Sequence, residues 1–218
     1  MDNPVINLLI LAGIAIFLIL RLKSVLGTRD GFEKPRAPSQ STRRMPQDLE
    51  VIEGGPDSDI TDHVEADSPE ARALAAMKRI EPSFSVSEFV QGGRGAYEMI
   101  LMGFENGDLA DIQPFLAEEL YDSFVDAVSA REDQGLTIEA SFIGVRETAL
   151  VNATFDEGSS MAEITMRFVG ELTSVVRDGE GAVVEGDAKT VKKQKDTWVF
   201  ARTMGADDPN WQLVATDA

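Results

Sequence analysis

The chain has 218 residues, no cysteine, one histidine and a formal net charge of −18. It therefore forms no disulfides and offers no thiolate to a metal. So acidic a chain does not hold nucleic acid by neutralising phosphates, and its bulk field repels an anionic bilayer while favouring basic partners.

The charge is unevenly placed. Residues 1–49 hold seven Lys/Arg against four Asp/Glu, a net +3, and the remainder holds 13 against 34, a net −21. Residues 5–20 read VINLLILAGIAIFLIL, with Arg21 and Lys23 directly behind. A spanning helix needs about 20 mostly apolar residues. Leu22, Val25 and Leu26 extend the run, and Arg21 and Lys23 can reach back to the interface. A cleaved signal would need basic residues before the run and a small-residue cleavage site after it. Met1, Asp2, Asn3 and Pro4 supply no such charge, and Arg21-Leu22-Lys23 is no such site. A buried core helix is the alternative, but the segment has no polar face. Residues 1–26 are thus expected to be an uncleaved transmembrane anchor. The basic residues that follow, Arg21, Lys23, Arg29, Lys34, Arg36, Arg43 and Arg44, place the C-terminal side in the cytoplasm or an equivalent compartment.

Residues 27–68 read as a flexible, charged linker, with GFEKPRAPSQSTRRMPQ at 31–47 and EGGPDSDITD at 53–62. Such composition buries too little surface to order itself. A coil of this length spans roughly 35–40 Å.

Residues 69–218 are long enough for one domain with its own core. Ser68-Pro69-Glu70 is an N-cap followed by proline at the first helical position, and Ala71, Leu74, Ala75 and Met77 form a short apolar stripe. A second helix is predicted over about 87–104, with Phe89, Gly93, Ala96, Ile100 and Phe104 spaced by three and four. Glu105-Asn106-Gly107 ends it, and Asp108 caps a short turn. A third follows Pro114, with Leu116, Leu120, Phe124 and Val128 on one face.

After Gly135 the period falls to two. Leu136, Ile138, Ala140 and Phe142 alternate with polar residues, as do Ala149, Val151, Ala153 and Phe155, then Ala162, Ile164, Met166 and Phe168. Glu157-Gly158 and Asp178-Gly179 are turn signals. A fourth strand is predicted within 189–202 and a last one over 211–214. Helices first and hairpin-linked strands afterwards predict an α+β fold with an antiparallel sheet, one face of which the helices cover.

The segments FVQGGRGAYEMI at 89–100, FENGDL at 104–109, PFL at 114–116, AEITMRF at 162–168, DTWVFAR at 196–202 and PNWQL at 209–213 together resemble the Tim44-like domain family. That family is named for the adaptor subunit of the mitochondrial inner-membrane import motor. The resemblance covers 69–218. A short anchor with a charged linker is similar to the bacterial members, which implies the bacterial inner membrane as location. It further implies a cone-like fold of the nuclear-transport-factor-two type, with a curved antiparallel sheet wrapped by helices around a pocket. It implies a membrane-associated adaptor or scaffold, not an enzyme, that contacts lipid, chaperones, channels or ribosomes. Against the mitochondrial adaptor, an anchor is expected here in place of the long N-terminal chaperone-binding region, so recruitment of a heat-shock chaperone is not expected.

Several residues invite a functional reading. Gly92-Gly93-Arg94-Gly95 lacks the pattern of a phosphate loop and follows no strand, so close packing or a kink within the helix is the expected role. Phe89, Tyr97, Ile100, Phe104, Trp198, Phe200 and Trp211 are expected as core, or as the frame of a concave pocket for an apolar ligand. Lys189, Lys192, Lys193 and Lys195 form a dense basic cluster, either guarding an edge strand or meeting lipid phosphates. Arg72, Lys78 and Arg79 on the first helix of the domain are a second candidate for lipid or partner contact. His63 lies in the linker, so no histidine-based triad or metal site is expected in the domain. Glu139, Glu163, Glu171 and Tyr97 would matter to catalysis if they faced inward. Alternation puts Glu139 and Glu163 opposite Ile138 and Ile164, toward solvent. No cofactor or metal is expected.

Overall fold

A computed structural model describes residues 57–217. The predicted anchor and most of the predicted linker lie outside those residues. Among the described residues no helix is long and apolar enough to cross a membrane.

The helices come first. They are α1 (Ser58–Thr61), α2 (Pro69–Ile80), α3 (Val86–Asn106), α4 (Leu109–Ile112) and α5 (Glu118–Asp133), with a 3-10 turn at Gln113–Phe115. Ser68 caps α2 by accepting from the Ala71 amide at 3.0 Å, with Pro69 in the first turn. Ser85 caps α3 through the Glu88 amide, and Gly107 ends it at φ 81°, a left-handed conformation glycine adopts without strain. The predicted bounds of α2 and α3 hold to within about two residues.

Residues 57–68, read from composition as linker, are part of this fold. Ile60 is buried in the core. Asp59 reaches the start of α3, where its carboxylate accepts from the Val86 amide at 2.8 Å, the Ser87 amide at 2.9 Å and the Ser85 hydroxyl at 3.1 Å. Helix starts leave such amides without intrahelical partners, and a distant acid supplies them here. His63 is in the folded part as well, with Nε2 3.0 Å from the Ser87 hydroxyl.

The strands are β1 (Thr137–Asp156), β2 (Met161–Arg177), β3 (Val183–Gly186), β4 (Lys192–Thr203) and β5 (Gln212–Asp217). They form one antiparallel sheet in the order β1-β2-β4-β5, with β3 also paired to β2. The fold is therefore α+β, with a curved antiparallel sheet and helices. The alternating segments at 136–142 and 149–155 turn out to be one 20-residue strand. Register shifts at Phe142/Gly144, Val145/Glu147 and Leu150/Asn152 interrupt its alternation. Bulges of this kind bend a strand and increase its twist.

Ala162, Ile164, Met166 and Phe168 of β2 are fully buried, while Glu163 and Arg167 between them are exposed. On β4 the register Ile164↔Phe200, Met166↔Trp198 and Phe168↔Asp196 continues the buried rows. α2 and α3 lie over β1, and α3 also contacts β2. Two sequence expectations change. Leu116 is not on the α5 face but makes a parallel bridge with Leu213, and the Ala117 amide donates to the Leu213 carbonyl at 2.9 Å. Pro114 lies in the 3-10 turn ahead of it, so the chain reaches the sheet before α5 begins at Glu118. Trp211 precedes β5 instead of opening it.

Candidate functional site

Two clefts border the helices. The first, of about 390 Å³, is lined along α3 by Phe89, Gly92, Gly93 and Ala96 and elsewhere by Phe84, Phe115, Phe200, Arg202 and Trp211. Three of the seven predicted pocket residues, Phe89, Phe200 and Trp211, meet here. Ring centroids lie 4.7 Å apart for Phe89 and Trp211, 5.9 Å for Phe89 and Phe200, and 5.8 Å for Phe84 and Trp211. Such offset and edge contacts hold an aromatic wall in shape.

Arg202 also lines this cleft. Its Nη2 donates to Glu81 Oε2 at 2.5 Å, and Glu81 accepts from the Gly205 amide at 3.2 Å. The guanidinium hydrogen bond, against the opposing effect of burial, holds the Glu81 carboxyl below its ordinary range. The Arg202 side chain is 7% exposed, and its Nε is enclosed without an acceptor among the described residues. Alternation legibly puts Asp196, Trp198, Phe200 and Arg202 on one face. That Arg202 meets Glu81, 121 residues earlier, carries no local signal.

The other four predicted pocket residues are placed elsewhere. Tyr97, Ile100 and Trp198 are at most 4% exposed. They are core because α3 lies over β1 and β2 and its inward side chains reach Phe168 and Trp198. Tyr97 stacks on Phe168 at 4.5 Å and meets Trp198 at 4.8 Å. Its hydroxyl donates to Asp196 Oδ2 at 2.5 Å, and Gln194 donates to Asp196 Oδ1 at 3.1 Å. Burial raises the Asp196 carboxyl above the ordinary range, with the bonds from Tyr97 and Gln194 pulling the other way. Burial likewise raises the Tyr97 phenol, and the neighbouring carboxylate adds to it. Phe104 packs on Phe124 at 4.6 Å, beneath the Arg131 guanidinium.

The second cleft, of about 570 Å³, lies between α2 and the end of β1. Ala73, Ala76 and Ala153 line it, with Arg72 and Arg79 also on its wall. Arg72 donates to the Asp67 carbonyl at 2.6 Å, and Arg79 pairs loosely with Glu157 at 3.6 Å. Lys78 does not join them. It is held by Asp57 and Asp59, each at 2.7 Å. Burial alone would lower its ammonium, but the two carboxylates outweigh it and raise it.

The lysines near β4 do not form one patch. Lys189 lies in the loop before the strand, Lys193 and Lys195 alternate onto the exposed face, and Lys192 points the other way. There it lies 3.9 Å from Glu185 and acts on the part-buried Glu105. Arg94 of the glycine segment donates to the Val145 carbonyl at 3.2 Å, at a bulge of β1.

Of the two expected roles, kink or close packing, close packing is not what the described residues show at any of the three glycines. A Cβ built at Gly92 or Gly95 meets nothing within 4 Å, and at Gly93 it reaches only Phe168 Cζ at 4.0 Å. The carboxylates of catalytic interest do not converge. Glu139 pairs with Arg177 at 3.2 Å, Glu163 is exposed, and Glu171, though buried, faces outward to Arg146 at 2.6 Å. Among the described residues no group of three or more His, Cys, Asp or Glu is placed to hold a metal.

Residues 70–218 match the family model of the Tim44-like domain, and the chain belongs to that family. It is 23% identical over 151 residues to the human mitochondrial import inner membrane translocase subunit TIM44. The match covers 68% of this chain and 33% of the human protein, so the chain spans about a third of that relative. Among solved structures, the intermembrane space region of the chloroplast protein ARC6 aligns at 13% identity with a TM-score of 0.36. It covers 66% of this chain and 94% of that one.

Proposed function

We propose that this protein is a membrane-anchored adaptor with a role in protein translocation or membrane-protein assembly. Its N-terminal segment fixes it in a bacterial inner membrane, and its Tim44-like domain faces the cytoplasm and tethers protein partners or passing polypeptides. The observation that carries the reading is the family match over 70–218, together with a relative named as an import translocase subunit. The apolar run at 5–20 with basic residues behind it supports the anchor and its orientation. Tethering works by raising local concentration and needs no chemistry. The buried Tyr97–Asp196 pair fits that role, since at 0% and 3% exposure it meets no substrate. A cone-like fold of the nuclear-transport-factor-two type is part of the same reading.

Photocrosslinking in cells, from an exposed position such as Gln91, followed by identification of the adducts, tests it. Reproducible adducts with membrane or secretory proteins are expected. Self-adducts alone would end the adaptor reading.

A second reading is lipid contact through α2, favoured by Arg72 and Arg79 on one small-residue cleft. Flotation of the chain lacking residues 1–26 with anionic vesicles tests it. Binding should fall in the Arg72→Glu, Arg79→Glu double variant. Unchanged flotation removes α2 from the account.

A further inference from the structure

Glycine inside a helix is costly relative to alanine and persists where the missing methyl makes room. α3 carries Gly92, Gly93 and Gly95 in its interior, yet the described residues put nothing within 4 Å of a methyl at Gly92. The room left at Gly92 opens into the 390 Å³ cleft, where Gly93 and Ala96 continue a wall of nearly bare helix backbone. This cleft contains a second uncommitted feature. Arg202 is more than nine-tenths buried, bonds to Glu81 through Nη2, and among the described residues has no hydrogen-bond acceptor for Nε. A buried donor left unpaired is costly until an acceptor arrives.

The rim indicates the charge of what arrives. Glu88 lines the cleft, is exposed, and has no ion-pair partner among the described residues. The positive charge of Arg202 is already matched by Glu81. The cleft thus combines an aromatic wall, a backbone strip open to close approach, a guanidinium with a spare donor, and an unneutralised acid.

We infer that this cleft docks a short polypeptide segment of a partner protein, one that offers a bulky apolar side chain to the Phe89–Trp211 rings, a main-chain carbonyl to Arg202 and a lysine or arginine to Glu88. The segment's backbone lies against α3 at Gly92, and its carbonyl reaches the enclosed Nε only as Arg202 turns about its bond to Glu81. Docking rests on the tethering function proposed above and gives it a contact surface. An acyl chain would suit the aromatic walls, but its anionic head would meet Glu88.

The test uses the full chain in nanodiscs of zwitterionic lipid and a blocked hexapeptide, Lys-Ser-Leu-Phe-Ser-Lys. The readouts are calorimetry and the emission of the chain's two tryptophans, of which Trp211 lines the cleft and Trp198 is buried. Saturable binding with an emission shift is expected. Gly92→Leu, which fills the open space, should weaken binding at least about tenfold without lowering Tm. Glu88→Lys, on the exposed rim, should weaken it as well, and so should a peptide with both lysines replaced by glutamate. Absence of binding, or equal binding by Gly92→Leu, overturns the inference. So does a Gly92-dependent emission shift produced instead by vesicles of dioleoyl phosphatidylglycerol. Crosslinking in cells separates the two levels. Partner adducts that persist undiminished in Gly92→Leu sink the cleft and spare the tethering, whereas wild-type protein without adducts sinks the tethering.

Discussion

Asp196 is a carboxyl enclosed among rings, and its pH behaviour follows from that. Burial raises its pKa, so the folded chain holds the proton to a higher pH than the unfolded chain does. The stability it contributes is complete below its unfolded pKa and is lost as pH rises through the folded value. Asp196→Asn should flatten that part of the stability curve, read by urea unfolding at a series of pH values from about 4 upward. A slope unchanged by the substitution would mean the carboxyl titrates normally. Tyr97→Phe removes a donor from the same group and should cost about 1.5–3 kcal/mol at neutral pH. Gly170 shows how closely this site is packed. A methyl there would sit 2.7 Å from the Tyr97 hydroxyl and 3.0 Å from its ring. Gly170→Ala should therefore destabilise by about 1–3 kcal/mol, since a ring stacked on Phe168 has little freedom to retreat.

At the scale of elements, α3 is held at its start by residues far back in the chain. Burial pushes the Asp59 carboxyl up, but bonds from Lys78, Ser87 and Val86 outweigh it and hold it well below the ordinary range. A depressed carboxyl contributes stability above its unfolded pKa, and that stability is lost as pH falls through the folded value. Asp59→Asn should thus make unfolding less acid-sensitive below about pH 4, and Asp59→Ala should cost about 1–2 kcal/mol at neutral pH as a lost cap. Farther along α3, Gly92→Ala should raise stability by about 1 kcal/mol, because the helix gains and nothing is displaced. A loss of stability there would show that the site is not open. Helix positions were legible because caps are local. Ser68-Pro69 and Gly107 announce their ends within three or four residues. The Asp59 cap was not, because it spans 26 to 28 residues and sits in a stretch whose composition resembles linker.

For the molecule as a whole, the α+β class and the inward face of β2 could be read directly from alternation. The continuity of β1 could not, since each bulge resets the alternation and makes one strand look like separate pieces. β3 is four residues with every position exposed, a pattern that marks no strand. Which aromatic residues line the cleft and which fill the core could not be read from the sequence, because Tyr97 and Phe89 share one helix and differ only in which residues the sheet sets opposite them. The proposed anchor is tested by alkaline carbonate extraction. The intact chain should stay with membranes, and the chain lacking residues 1–26 should be released. Release of both would remove the anchor from the account.

The stitching of α1 to its neighbours has a mechanical consequence. At the start of the described residues, Lys78 of α2 grips both Asp57 and Asp59, and the first amides of α3 grip Asp59 as well. Tension applied through the leading chain is then borne by a few short polar links loaded side by side, with Ile60 as a plug behind them. The sheet would feel that pull last, so a tug from upstream should peel off the first dozen residues of the unit, and with them the Ser85 edge of the cleft, before it reaches the strands.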